Sequence, residues 1–193
     1  IKLNINKMMS NKEKSVQVLT KGVEFLFKKN KIAYLKGKGV LISENEVMVY
    51  EDEKKKTYTA KNIVIATGSS PTSLPGIKID EKNIVSSTGA LSFSEVPQDL
   101  IIIGGGYIGL EMGSVWSRLG SKVTVVEYLD FITPGMDREV SNEFKKILTK
   151  QGMQFKLNNK VTTVTNIKNK VFVDYTNNTT KARERAECDK VLV

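Results

Sequence analysis

The stretch from Leu100 to Glu111, LIIIGGGYIGLE, constrains the fold more than any other part of the chain. Four branched apolar residues with the character of a buried strand run directly into three consecutive glycines and then into helix-compatible sequence. Gly104, Gly106 and Gly109 spell G-x-G-x-x-G. Alone that spacing says little. Here the strand-like DLIIIG precedes it, the helical YIGLEMGSVWSRLG follows, and a second buried strand, SKVTVVE, ends on Glu127, 21 residues past Gly106. Each part has a mechanical job in a βαβ unit. Gly104 permits a tight turn, Gly106 lets a diphosphate approach bare backbone N–H groups, and Gly109 lets helix and strand pack closely. The diphosphate meets the positive end of the helix, where unpaired N–H donors stand.

Glu127 bears on the choice of cofactor. A carboxylate at this place accepts hydrogen bonds from both hydroxyls of the adenine ribose, whereas a 2′-phosphate is repelled by it and calls for arginine. The residues that follow, YLDFIT, contain no arginine, so NAD is expected rather than NADP.

Elsewhere the pattern is coarser. Residues 8–30 place Val16, Leu19, Val23, Leu26 and Phe27 at helical spacing before a basic end. Short strand-like runs follow at 32–42, 46–50, 56–60 and 62–68, predicting an antiparallel β-meander that returns into a buried strand over Ile63–Ala66. Residues 69–98 hold three of the four prolines and are expected to be a crossing between domains. In the helix after the glycines, Ile108, Met112, Val115 and Leu119 share one predicted face. A second helix spans 137–152, acidic at its start and closed by Lys150 and Gly152, and short strands with an Asn-rich turn at Tyr175–Thr180 fill the tail. The expected class is α/β: a Rossmann-type parallel sheet, an antiparallel meander, and part of a second domain of the same type. The expected boundaries are 1–70, 71–98 and 99–193.

Composition narrows the chemistry. One cysteine, Cys188, rules out a disulfide within the chain, and the absence of histidine removes the commonest general base and zinc ligand. Cys188 reads as a small buried hydrophobe, Trp116 as core or interface, and Lys54–Lys56 as an exposed turn. The net charge of +9 comes mostly from dispersed lysines, which reads as a solvated surface and not as a nucleic-acid site. No run of about 20 apolar residues suggests a membrane span, and the start IKLNINKMM, with no initiator Met and no signal core, reads as the interior of a longer chain.

The runs NIVSSTGALSFSEVPQDLIIIGGGYIGLEMGSVWSRLGSKVTVVE, MDREVSNEFKKILTKQGMQFKLNNKV and NIVIATGSSPTSLPG resemble the dihydrolipoyl dehydrogenase family, FAD-dependent pyridine nucleotide-disulfide oxidoreductases. The resemblance covers nearly the whole chain, and SSTGAL is more specific than the glycine motif. It implies FAD and NAD as cofactors and dihydrolipoyl groups of 2-oxoacid dehydrogenase complexes as substrate. It also implies a homodimeric full-length protein, in the bacterial cytoplasm or the mitochondrial matrix. Gly104, Gly105, Gly106, Ile108, Gly109, Leu110 and Glu127 would bind NAD. Tyr107 would be an aromatic gate over the flavin, and Glu111 would face the nicotinamide carboxamide. The backbone of Val161 would contact adenine, and Gly39, Ala66, Thr67 and Gly68 would touch FAD. The family's C-x-x-x-x-C disulfide and His-Glu pair have no counterpart in this sequence, so the chain alone is expected to be inactive. Other flavoproteins of this type, such as NADH oxidases or mercuric reductases, and a non-catalytic NAD-binding module remain as alternatives.

Overall fold

The computed structural model describes residues 2–168 and 170–193, which fall into two compact units. One runs from Met8 to Ser70; the other comprises the residues up to Lys7 together with Pro71–Val193.

Helix α1 (Ile5–Lys29), which lies in the first unit from Met8 onward, ends on Lys28 and Lys29, where cations meet the negative pole of the helix. Its apolar stripe exists but is uncovered: no residue of α1 is buried. Strands β1 (Lys38–Ser43), β2 (Glu46–Glu51) and β3 (Lys54–Thr59) form the expected antiparallel meander, with Val40 opposite Met48 and Met48 opposite Thr57. Lys54–Lys56 open β3 and are exposed, so they belong to a strand and not to a turn. The predicted strand at Ile63–Ala66 does not form, and Val64 and Ile65 stand 87% and 71% exposed. A strand needs a neighbour for its N–H and C=O groups, and among the described residues nothing pairs with this segment.

In the second unit, β4 (Ile84–Val85), helix α2 (Ser87–Ala90), β5 (Asp99–Ile103), α3 (Tyr107–Arg118), β6 (Lys122–Val126), α4 (Arg138–Lys150) and β7 (Gln154–Lys156) precede an antiparallel sheet. That sheet is β8 (Asn159–Ile167), β9 (Lys170–Asn177) and β10 (Arg183–Cys188); β11 (Lys190–Leu192) then returns to the first sheet. The parallel sheet has the order β4-β11-β5-β6-β7. Segment 69–98 is therefore more than a crossing, because it supplies edge strand β4 and helix α2. Tyr175 lies inside β9 and is buried, and the turn of the tail begins only at Asn178.

The core is built on Leu100, Ile101 and Ile102 of β5, a continuous apolar run, and Val123, Val125 and Val126 of β6, interrupted only by Thr124. Helix α3 meets it through Leu110, Gly113 and Trp116, not through the predicted face; Ile108 and Val115 are half exposed. The closest approach is made by Gly113, where a Cβ would come within 2.7 Å of both Ile102 and Met153. Glycine carries no apolar signal, so the bulky residues of α3 point the sequence pattern to the wrong side. Trp116 anchors the helix, donating from its indole N–H to the Ala90 carbonyl at 3.1 Å and stacking on Phe93. Asp137 caps α4 by accepting from the Glu139 amide. Cys188 is buried and hydrophobic in role, its thiol pushed up by burial to about 12.

Candidate dinucleotide-binding site

The chain leaves β5 through Gly104, whose φ of 104° lies in a region that side chains disfavour, and whose amide donates to the Val126 carbonyl at the end of β6. Gly109 faces the strand so closely that a Cβ would lie 2.9 Å from Ile102 and 3.0 Å from the Gly104 carbonyl. Around Gly106 there is open space, with no atom within 4 Å of where a Cβ would stand.

Gly105 is held from both sides. Its amide donates to Glu127 Oε2 at 2.5 Å, and its carbonyl accepts from the Thr133 amide at 2.7 Å. Thr133 adopts φ 52°, and its hydroxyl lies 2.8 Å from that of Ser141 on α4, so the loop after β6 is fastened to the glycine turn. The amides of Gly106, Tyr107, Ile108 and Gly109 have no acceptor among the described residues, whereas the Leu110 amide bonds to the Gly106 carbonyl. These four are the donors a helix start leaves unpaired, and with the helix dipole they suit an anion.

The Glu127 carboxylate is 7% exposed and accepts from the Gly105 and Leu129 amides. Two bonds occupy only half of its roughly four acceptor positions, so the group is fixed in orientation and can still accept from hydroxyls. It lines a cavity of about 660 Å³ together with Ile103, Gly104, Tyr128, Asn159 and Val161. A second cavity of about 350 Å³ is walled by Thr72, Gly104, Gly106, Tyr107, Gly109 and Val193. Ile103 and Gly104 belong to both, so the two cavities meet at the end of β5 and the glycine turn.

The structure thus brings together Gly104, Gly105, Gly106, Tyr107, Ile108, Gly109, Glu127 and Val161. Leu110 packs instead: its side chain is fully buried and its amide is spent within the helix. Glu111 is exposed on α3 and lines neither cavity. Gly39 is locked in the β1–β2 ladder opposite Val49, and Ala66, Thr67 and Gly68 lie exposed in coil; these four are not gathered into a site. Thr133 and Asn159 were invisible to the motif, because a polar residue in a loop or at a strand start carries no periodic signal. Leu74, Pro75 and Ile77, which wall the larger cavity, fall in the proline-bearing segment. Among the described residues no cluster of three or more His, Cys, Asp or Glu side chains could hold a metal, and no helix is long and apolar enough to cross a membrane.

A family model described as pyridine nucleotide-disulphide oxidoreductase matches residues 2–193. The chain belongs to that family. Within the pyridine nucleotide-disulphide oxidoreductases it is similar to dihydrolipoamide dehydrogenase of Chaetomium thermophilum, 58% identical over 163 residues, 83% of this chain and 32% of that protein. It is also similar to dihydrolipoyl dehydrogenase 3 of Pseudomonas putida, 56% identical over 84% of this chain and 35% of the relative. Mitochondrial dihydrolipoyl dehydrogenase of Schizosaccharomyces pombe is 46% identical over 100% of this chain and 38% of its own length. The chain therefore spans about a third of the curated relatives it matches. Among solved structures, a mutant of the HOCl-induced flavoprotein disulfide reductase RclA of Escherichia coli superposes with a TM-score of 0.84 at 28% identity, over 96% of this chain and 41% of that one. LpdA of Mycobacterium tuberculosis shares the fold with a TM-score of 0.89 at 20% identity, over 100% of this chain and 42% of that one. The family works with FAD and NAD, and its relatives include bacterial and mitochondrial proteins.

Proposed function

We propose that the chain is the NAD-binding, and part of the FAD-binding, portion of a dihydrolipoyl dehydrogenase. That enzyme oxidises dihydrolipoyl groups of 2-oxoacid dehydrogenase complexes and works as a homodimer in the bacterial cytoplasm or the mitochondrial matrix. The observation that carries the assignment is the buried Glu127 carboxylate, fixed by the Gly105 amide at the wall of a cavity that also contains Val161. Identities of 46–58% to proteins of that name support the substrate class.

In this account the free amides of Gly106 to Gly109 receive the diphosphate at the head of α3, where they supply charge-assisted hydrogen bonds without a competing side chain. Glu127 accepts from both adenine-ribose hydroxyls and disfavours a 2′-phosphate. Val161 lies along the adenine. Tyr107, 70% exposed at the second cavity, is the aromatic side chain that yields to the nicotinamide. Bound cofactors supply the redox chemistry, a hydride passing from reduced flavin to NAD⁺, while the protein orients them. Gly39, Ala66, Thr67 and Gly68 are the residues of this chain that would touch FAD, and no chemical step is assigned to them.

The test is NAD⁺ reduction by dihydrolipoamide in the full-length, FAD-loaded protein. Reduction of NAD⁺ with a strong preference over NADP⁺ is expected; inactivity toward dihydrolipoamide, or a preference for NADP⁺, contradicts the proposal.

A further inference from the structure

Among the described residues, the amide oxygen of Asn159 is the one buried side-chain nitrogen or oxygen atom without a hydrogen-bond partner. Buried polar atoms are partnered in the great majority of cases, and one left unpaired is costly. Its place makes the exception informative. Asn159 is 6% exposed and lines the same cavity as Glu127 and Val161. Its main-chain amide donates to the Glu127 carbonyl at 2.8 Å, and its Nδ2 donates to the Leu157 carbonyl at 2.7 Å. The Nδ2 bond assigns the amide its orientation, with the oxygen as the atom left over. Asn159 and Val161 are two residues apart in β8, before the irregularity between Val161 and Thr163, and so lie on the same face of the strand. A carboxylate for ribose, a backbone for the flat face of a base, and an unpaired acceptor thus share one wall.

We propose that Asn159 is a specificity residue of the NAD site, its Oδ1 accepting a hydrogen bond from the exocyclic amine of adenine. The oxygen itself is buried, so the contact requires a rotation about the last side-chain torsion, which is broad for asparagine, to turn it toward the cavity when the base is bound. The amine is the matching chemistry, because Glu127 already serves the ribose hydroxyls and the diphosphate has only acceptors to offer. A base with a carbonyl at that position would set oxygen against oxygen. The inference rests on the NAD reading of the site and refines it.

The experiment compares binding of NADH with its reduced hypoxanthine analogue, in which the amine is replaced by a carbonyl, to the full chain and to Asn159→Leu and Asn159→Ala. The wild type is expected to bind NADH more tightly than the analogue by about 5- to 100-fold, the range for leaving a buried polar group unpaired. Both variants are expected to bind the two dinucleotides within about threefold of each other, having no group to leave unpaired. Tight NADH binding with no discrimination in the wild type, or discrimination that survives both substitutions, overturns the adenine contact and leaves the NAD site standing. Failure of the wild type to bind NADH at all overturns both. A wild-type ratio near one overturns the contact even if a variant fails to fold, and where one variant fails to fold the other carries the assignment to Asn159.

Discussion

The carboxylate of Glu127 reaches back across 22 residues of sequence to accept a hydrogen bond from the amide of Gly105, at 2.5 Å. The acid proposed to face the ribose therefore also sets the shape of the turn proposed to receive the diphosphate. Substituting Glu127→Gln keeps one acceptor but turns an N–H₂ group toward either the Gly105 or the Leu129 amide. NADH affinity should fall by roughly 10- to 100-fold, the range for losing a hydrogen bond to a charged group of about 1.5–3 kcal/mol. Titration of both proteins with NADH under identical salt measures it, and unchanged affinity would remove Glu127 from the site.

Gly106 and Gly113 invite the same substitution with opposite consequences. A Cβ on Gly106 meets no protein atom, so Gly106→Ala should leave stability within about 1 kcal/mol of wild type, the scale of an N-cap change. It should nonetheless weaken NADH binding by about 100-fold if two charge-assisted bonds to the diphosphate are lost. A Cβ on Gly113 would lie 2.7 Å from Ile102 and Met153, so Gly113→Ala should cost about 1–3 kcal/mol of stability through overpacking. Urea unfolding alongside NADH titration separates the two.

Trp116 couples α3 to α2 by a hydrogen bond to the Ala90 carbonyl and a tilted ring contact with Phe93 at 5.0 Å. Trp116→Phe should cost about 1–3 kcal/mol, chiefly from an unpaired buried carbonyl, and Trp116→Ala about 3–5 kcal/mol. Thermal or urea unfolding of the two variants checks the order.

The Asp189 carboxyl is held below its ordinary 3.8, first by the Lys170 ammonium and then, against the opposing effect of burial, by the Asp99 and Gln98 amides. A carboxyl whose folded pKa is depressed takes up its proton more readily in the unfolded chain. Its contribution is thus fully present above 3.8 and disappears as pH falls through the lower folded value. Asp80 behaves alike: burial pushes it up, but the Lys82, Ile84 and Asn83 amides outweigh that and hold it low. Asp189→Asn should therefore show a shallower loss of stability below 3.8 than the wild type, read as the urea midpoint against pH. Parallel curves would assign Asp189 no role in acid unfolding.

How much of this was legible beforehand depends on what each residue signals. The βαβ unit was legible because its information is local: β5 and β6 are rich in β-branched apolar residues, and the glycine spacing needs no partner to be recognised. The meander was legible for the same reason. Ile63–Ala66 misled because a run of β-branched residues states a preference for a strand, and only a neighbouring strand can realise it. The face of α3 misled because its contact residue is Gly113, silent in any hydrophobic pattern. Within the site, the glycines and Glu127 announce themselves through spacing. Thr133, which clamps the Gly105 carbonyl through its backbone, and Asn159, defined by the lack of a partner, exist as features only once β6, α4 and β8 are brought together.

The glycine turn and Glu127 are proposed to form one site for NAD. The most direct test of this is equilibrium titration of the full chain with NADH and with NADPH at one fixed ionic strength. Saturable NADH binding that exceeds NADPH binding by tenfold or more, roughly 1.4 kcal/mol, is predicted. Equal or tighter binding of NADPH, or no binding of either, would contradict it.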